Sequence, residues 1–511
     1  MAAARKMRAF KRWMKYQGIE WSDALLFATE SSVGAEDDSS SSPPVSVKAL
    51  CDLKEGDVVA RIPKQSCLTV KTSAASELIE EAELGGNLGL AAAIMYEKSL
   101  GSESKWFEYL QMLPAFEPIP LLWSLPEIDS LLAGTELHKT VKEDKAVVYE
   151  DWKECIKPLL DLASFELNPE YFTVDEYFSA KSLVSSRSFQ VDEYHGFGMV
   201  PLADLFNHKT AAEDVHITAV SSSSESDNET ITKKEDSEHE NDEDNEPIIL
   251  DSHSEGEEFS GTDLELSSAS EEESPFMDMI LIKDVKAGAD VFNTYGYLGN
   301  AALLHRYGFT EADNPFDILN IDLEIVVRWS LSLFSCRQSR RRLSIWRRLG
   351  YSGCVSEDSE YFEISFGGEP QDELLVLLYI MLLPEEEFHR LDLASSVTGK
   401  IKESSSFHLL ERESVLSTKD SDLSKKPLLT PSVRLALSSL ADARESLYGP
   451  NSLEEDVESL SKCCLATEPK VYHSLMLRIS ERKIIEKLRR CYAATLEAIK
   501  GRRKRKGTEI A

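Results

Sequence analysis

The sequence predicts an α+β protein: a strand-bearing part split by a long helical stretch, then a wholly helical part. Three observations predict it. Strand signals lie far apart, at Val58–Ile62 and then at Met277–Ile282 and Val291–Thr294. Between them, from Leu78 to about Leu183, apolar residues recur at spacings of three and four, as in LGLAAAIMYEKSL and again around Trp152–Leu162. Past Asp322 the strand signals thin out and long helical patterns take over.

The opening MAAARKMRAFKRWMKYQGIEW is basic and has no acid before Glu20. Phe10, Trp13, Met14 and Gln17 fall at helical spacing, so an amphipathic first helix is read in preference to an organellar leader. Residues 31–44 are a Ser-rich loop ending in Pro43-Pro44, and a turn with Gly56 leads into the strand at Val58. Phe197–Asn207 is an apolar stretch containing a proline. The two later strands are joined by a turn at Lys286–Ala289, and Ala301–Tyr307 is a short helix. The helical part carries patterns at Ile325–Leu349, Glu373–Leu383, Ser432–Leu447 and Tyr472–Ile499. In the last, Leu475, Ile479, Ile484, Ile485, Leu488 and Tyr492 form one stripe, expected to be core.

Charge is unevenly placed. The 511 residues carry a net −34, which argues against general nucleic-acid binding because a phosphate backbone would repel the chain. Ser221–Pro275 holds 20 acids and two lysines, so roughly half of the excess sits in one Ser-rich segment. That composition predicts a disordered loop insertion, dispensable for chemistry, with serine clusters resembling acidophilic kinase sites. Eight cysteines are spread without CxxC or zinc-ligand spacing, which indicates neither a metal site nor a disulfide framework. Adjacent Cys463–Cys464 are read as core filler. No uncharged apolar run reaches the ~20 residues of a membrane span. The basic run Arg337–Arg348 is read as a solvated helix face in preference to a surface for acidic substrate or RNA, and Arg502–Lys506 resembles a nuclear-localisation patch, with a plain solubilising tail as the alternative.

The chemistry-bearing text is a series. Ser186-Arg187-Ser188-Phe189 comes first. MVPLADLFNHK then places Asp204, Asn207 and His208 at the end of an apolar stretch, and AGADVFNTYGYLGNAALLHRYGF places Tyr295 and Tyr307 twelve residues apart, each followed by glycine. Each is weak alone. In this order they resemble the C-terminal half of the SET-domain methyltransferases, and more narrowly the Rubisco large-subunit and ribosomal-protein lysine methyltransferase group. CDLKEGDVVARIPK, KWFEYLQMLP and LMLRISERKIIEKLRR fit the same group, so the resemblance covers about residues 10–500.

That resemblance implies a SET-domain β-rich core with an inserted helical subdomain, followed by an all-α substrate-binding domain. The division would be 1–75 and 181–320 for the core (acidic insertion at 219–275), 76–180 for the insert, 321–500 for the helical domain and 501–511 for a basic tail. It implies methyl transfer from S-adenosyl-L-methionine to a lysine of a basic ribosomal or nuclear protein. The enzyme would be monomeric, in nucleus or cytoplasm, with no metal and no direct nucleic-acid contact. A non-catalytic SET-like binder and a histidine acceptor are the alternatives. Tyr295 matches the active-site tyrosine. Asn207 and His208 match the cofactor-binding pair, Arg187 an arginine near the cofactor carboxylate, and Tyr307 a cofactor-pocket tyrosine. Phe309 would wall the lysine channel and Asp204 would lie near the substrate entrance. The family's Gly-rich cofactor loop is matched here by the glycine-free Pro43–Ala49, where Val45 is the expected backbone contact.

Overall fold

The computed structural model describes residues 2–29, 45–162, 167–219, 274–352, 360–397 and 428–507. The segment at 30–44 and most of the acidic insertion lie outside the described residues, so the expectations made for them do too. The basic tail enters only as backbone, at the end of the last helix.

Ala2–Tyr16 form the opening helix. Met7, Phe10, Trp13 and Met14 are its buried face, which accounts for their spacing. Trp13 meets Trp106 at a ring separation of 5.9 Å and donates its indole N–H to the Lys105 carbonyl at 2.7 Å. The helix thus seals the strand-bearing core against the helical stretch that follows.

Among the described residues, that core holds three small sheets. In the first, β1 (Glu20–Trp21), β4 (Val58–Pro63), β9 (Phe276–Leu281) and β8 (Val215–Ala219) lie side by side, all antiparallel. β2 (Leu25–Thr29) pairs with β3 (Val45–Ala49), and β5 (Leu68–Thr69), β7 (Gly196–Met199) and β6 (Ser188–Asp192) form the third. In β9 Met277 is the register partner of Ala219 in β8, so the chain leaves and re-enters this sheet at one point. That is the placement expected of a loop insertion.

The helical stretch is real but broken. Gly86–Ser99 is its most buried helix and packs on Val174–Arg187; Leu137–Asp151 runs outside them into a π-turn at Trp152–Ile156. Trp123, Ile128 and Val141 pack with Leu304 and with Leu477 of the last helix, joining insert, core and C-terminal part.

Four readings are corrected. Val291–Thr294 is extended but not a ladder strand; its neighbourhood makes only single bridges, from Asp290 to Lys48 and from Asn293 to His208 and Val215. It threads between two segments rather than lying along one. Val45–Ala49, matched above to a loop, is a strand. Ile325–Leu349 is two helices, Leu323–Leu333 and Cys336–Arg348, because Ser335 caps the second in a reciprocal box with Gln338. The C-terminal part is not wholly helical: β10 (Leu319–Asp322) pairs with β11 (Tyr361–Ile364), although long helices, ending in Pro469–Gly507, dominate it.

The basic run is also more than a solvated face. Arg342 is buried and donates to the carbonyls of Ile380, Met381 and Leu383, closing the C-terminus of helix Asp372–Leu382. Arg341 and Arg348 pair with Asp392. Cys464 is exposed and Cys463 partly so, after the end of Leu453–Lys462, and neither fills a core. In the final stripe Ile479, Ile484, Ile485, Leu488 and Tyr492 are buried as expected, whereas Leu475 is only partly buried.

Candidate active site

Two chain segments cross at the site. One leaves β7 through Leu202, a buried non-glycine residue at φ 82. Such a backbone costs about 1–3 kcal/mol and persists only where surroundings impose it. Here it turns the chain into the short helix Ala203–Leu205, aiming Asp204 inward and carrying Asn207 and His208 onward. The second segment is 290–297. The Asn293 amide donates to the Asn207 carbonyl at 2.9 Å, which locks the crossing.

His208 fixes Tyr295 twice. Its Nδ1 accepts the Tyr295 backbone N–H at 3.1 Å, and its ring stacks on the phenol at 5.0 Å and 19°. An imidazole that accepts at Nδ1 is neutral with its proton on Nε2, within reach of Thr210 Oγ1 at 3.3 Å. Tyr307 covers the other side of Tyr295, with ring centroids 4.4 Å apart. Phe309 closes the group, 6.4 Å from Tyr307 and 6.2 Å from His208. Tyr307 ends helix Asn300–Tyr307, and the left-handed Gly308, at φ 79, reverses the chain so that Phe309 returns to the same cluster. All four rings are partly exposed. Burial raises the Tyr295 hydroxyl above its ordinary pKa of 10, so it is a phenol at neutral pH. It donates to the Phe206 carbonyl at 3.4 Å, leaving oxygen lone pairs able to accept.

Behind the rings lies a charged group. The Arg187 Nε donates to Glu117 Oε1 at 2.5 Å, and Nη1 donates to the Asp204 carbonyl at 3.1 Å. Its Nη2 has no partner among the described residues, and its side chain is 25% exposed, so one edge of the fork remains available. Burial pulls this guanidinium down, but Glu117 and Asp204 together hold it above its ordinary value. The Asp204 carboxylate is fully enclosed; it accepts from Tyr109 at 2.9 Å, and its Oδ1 lacks a partner. Burial pushes its pKa up to about 6. The entrance position expected for Asp204 is therefore not what its surroundings offer: it lies under Arg187, away from solvent.

Asn207, Val45, Arg187, Asp204, His208, Tyr295, Tyr307 and Phe309 thus fall in one region. Asn207 is exposed and its Nδ2 reaches the Val45 carbonyl at 3.5 Å. Glu117 and Tyr109 were missed. They reach Arg187 and Asp204 across separations of 70 and 95 residues, and no local pattern marks them. Glu311 was missed too; it accepts the Thr210 amide and steadies the far side of His208.

A pH effect follows. Burial lowers the His208 pKa below 6.5. The native state then binds fewer protons here than the unfolded chain, so this contribution to stability is complete above 6.5 and is lost as pH falls through the folded value. In an imidazole NMR titration His208 is expected as the Nε2–H tautomer, titrating below 6.5, with the Tyr295 amide resonance moving in step.

No protein-family model matches the chain. It is 24% identical over 401 residues to N-lysine methyltransferase setd6 of Xenopus laevis, covering 74% of each chain. It is 24% identical over 322 residues to ribosomal lysine N-methyltransferase 3 of Saccharomyces cerevisiae, covering 54% of this chain and 58% of that one. Among solved structures, the SET domain of LSMT bound to lysine and AdoHcy aligns with a TM-score of 0.62 at 18% identity, over 96% of this chain and 91% of the other. Rubisco LSMT bound to AdoMet gives 0.60 at 18%, over 96% and 92%. The fold is that of these SET proteins, with its helical additions.

Proposed function

We infer that the chain is a SET-domain protein-lysine methyltransferase of the Rubisco large-subunit group, using S-adenosylmethionine. The observation that carries this reading is Tyr295, clamped between His208 and Tyr307 with its hydroxyl oxygen free to accept, at the crossing where Asn207 is exposed. The residues present suit such a cofactor. Exposed aromatic faces tolerate a sulfonium. The Arg187 edge offers donors to a carboxylate, and Asn207 with the Val45 carbonyl offers a donor and an acceptor side by side.

When bound, S-adenosylmethionine supplies a methyl group on a positively charged sulfur. The protein's task is alignment. A lysine amine must be neutral to attack, whereas free lysine has a pKa of about 10.4. The partly enclosed aromatic site disfavours the ammonium and lowers that value. Tyr295 oxygen accepts an amine N–H and so turns the nitrogen lone pair toward the methyl. Phe309 and Tyr307 limit the amine's sideways freedom. Holding donor and acceptor in line is worth up to ~7–11 kcal/mol of barrier, so no strong base is required.

Arg187 acts with its charge already compensated. Glu117 and Asp204 flank it, so it offers oriented donors more than long-range attraction. Cofactor affinity is then expected to change little between low and moderate salt. Glu117→Gln is expected to weaken S-adenosylmethionine binding about tenfold, or ~1.4 kcal/mol, in calorimetry, because the Nε anchor loses its charge assistance. An unchanged affinity would remove Glu117 from this role.

The acceptor proposed is a lysine of a basic ribosomal or nuclear protein. This rests on the likeness to a ribosomal lysine methyltransferase, the acidic chain and the basic C-terminal run. The test is labelled S-adenosylmethionine with separated ribosomal proteins and histones, followed by acid hydrolysis and mass spectrometry. Methyl-lysine in a defined protein is the expected product. Methyl-histidine would transfer the activity to the other acceptor, and no labelling together with no cofactor binding would reduce the protein to a binder.

A further inference from the structure

The outer face of the first helix is basic and lacks acidic partners among the described residues; Lys11 lies over the Phe27 ring at 4.7 Å and Lys15 over the Trp21 ring at 5.5 Å. Arg5, Lys6, Arg8, Arg12 and Lys15 are exposed, and no acid pairs with any of them or with Lys11 among the described residues. Arg5, Arg8, Arg12 and Lys15 fall at three- and four-residue spacing and form one stripe. This arrangement is locally unfavourable. Like charges four apart repel, at Arg8–Arg12 and Lys11–Lys15, and cations in the first turn oppose the helix dipole. The helix is held by its buried face and by the cation–π contacts of Lys11 and Lys15, and among the described residues no acid pairs with its basic side chains.

Topology places one set of acids nearby. Gly18, just past the helix, faces the Pro63 ring, where an added Cβ would lie 3.6 Å away. Pro63 is the register partner of Phe276, the first residue of β9, and Lys64 N–H donates to the Pro275 carbonyl. The chain between β8 and β9 therefore re-enters next to the C-terminal end of the basic helix. Immediately before that point the sequence reads Glu271-Glu272-Glu273, and residues 221–273 together hold 20 acids against two lysines. The helix is about 22 Å long, and seven residues of extended chain span that length.

We propose that the basic face of Ala2–Tyr16 is the docking surface for this chain's own acidic segment, residues 221–273. A tethered polyanion needs no external encounter, and at these distances its effective concentration is high. It would neutralise the face and keep other polyanions from it.

Zero-length carbodiimide coupling of the full chain, which joins lysines to carboxylates, tests this. At low salt Lys6, Lys11 or Lys15 is expected to be joined to acids of 225–273 within a single chain, chiefly Glu271–Glu273. The yield should fall at least fivefold in 0.5 M NaCl and in the E271Q/E272Q/E273Q variant. Links to acids of 30–38 instead, links only between two chains, or a yield indifferent to salt would each overturn the proposal. A second readout is independent of lysine chemistry. Inorganic polyphosphate should bind a 221–273 deletion at least tenfold tighter than the full chain, and the gain should vanish when Arg5, Arg8 and Arg12 are changed to Glu. Equal affinity of deletion and full chain overturns it; if the deletion fails to fold, the triple Gln variant decides in both assays.

Discussion

Tyr295→Phe is expected to lower single-turnover methyl transfer by at least ~10²-fold while changing S-adenosylmethionine affinity by less than about threefold. Removing one positioned hydrogen-bonding group at a reaction centre typically costs 10²–10³-fold. The small effect on binding follows from packing. The Tyr295 ring is held between His208 at 5.0 Å and Tyr307 at 4.4 Å, and phenylalanine keeps both contacts. Only the hydroxyl, 3.4 Å from the Phe206 carbonyl, is removed. The test is quench-flow transfer on an identified substrate beside calorimetry with the cofactor. Full transfer by the phenylalanine variant would strip Tyr295 of its assigned role. Loss of cofactor binding would instead mean that the hydroxyl organises the pocket.

The parts of this site legible in the sequence are those whose geometry is local. Asn207 and His208 follow a short turn, Tyr295 and Tyr307 are each followed by a positive-φ glycine, and Phe309 lies one residue beyond Gly308. Glycine-bearing turns leave a mark in a single stretch of text. Glu117 leaves none: it is a carboxylate on a loop of the helical insert, and only the folded chain brings it to Arg187. Arg342 makes the same point from the opposite direction. Within a run of arginines it reads as solvated, yet it caps carbonyls about forty residues away. Periodicity located helices well but not their breaks. The Leu323–Leu333 and Cys336–Arg348 helices share an apolar rhythm, and the interruption depends on one serine hydroxyl taking the Gln338 amide. The strand β3 was hidden for a different reason. Five residues after a Pro-Pro, with a partner strand on the far side of residues 30–44, offer no alternation long enough to read.

Arg444→Met is expected to destabilise the protein by ~3–5 kcal/mol, the usual consequence of leaving a buried charge uncompensated. At ~2–4 °C per kcal/mol this is a fall in Tm of roughly 6–20 °C. Arg444 is buried. It donates to the Asn320 carbonyl at 2.9 Å, to the Gly134 carbonyl at 2.6 Å and to Glu481 at 2.9 Å, while Tyr448 donates to the same carboxylate. One guanidinium thereby joins the insert, β10 and the last helix. The approach is close: a Cβ at Gly134 would lie 2.5 Å from the Leu447 carbonyl. Glu136 is enclosed beside Glu481, and burial pushes it up to about 8. A carboxyl raised in this way favours the folded state when protonated, so its contribution declines as pH rises from 4.5 through about 8. The penalty of Arg444→Met should accordingly be smaller at pH 5 than at pH 8, because Glu136 is then protonated and burial, no longer opposed by the guanidinium, favours the protonated form of Glu481. Adding Glu481→Gln should restore ~2 kcal/mol at pH 8, since the orphaned charge is gone, but not the whole loss, since two carbonyls still lack their donor. Thermal unfolding of the four proteins of this cycle at both pH values checks the argument. A penalty independent of pH and untouched by Glu481→Gln would show that Arg444 contributes packing and carbonyl bonds alone.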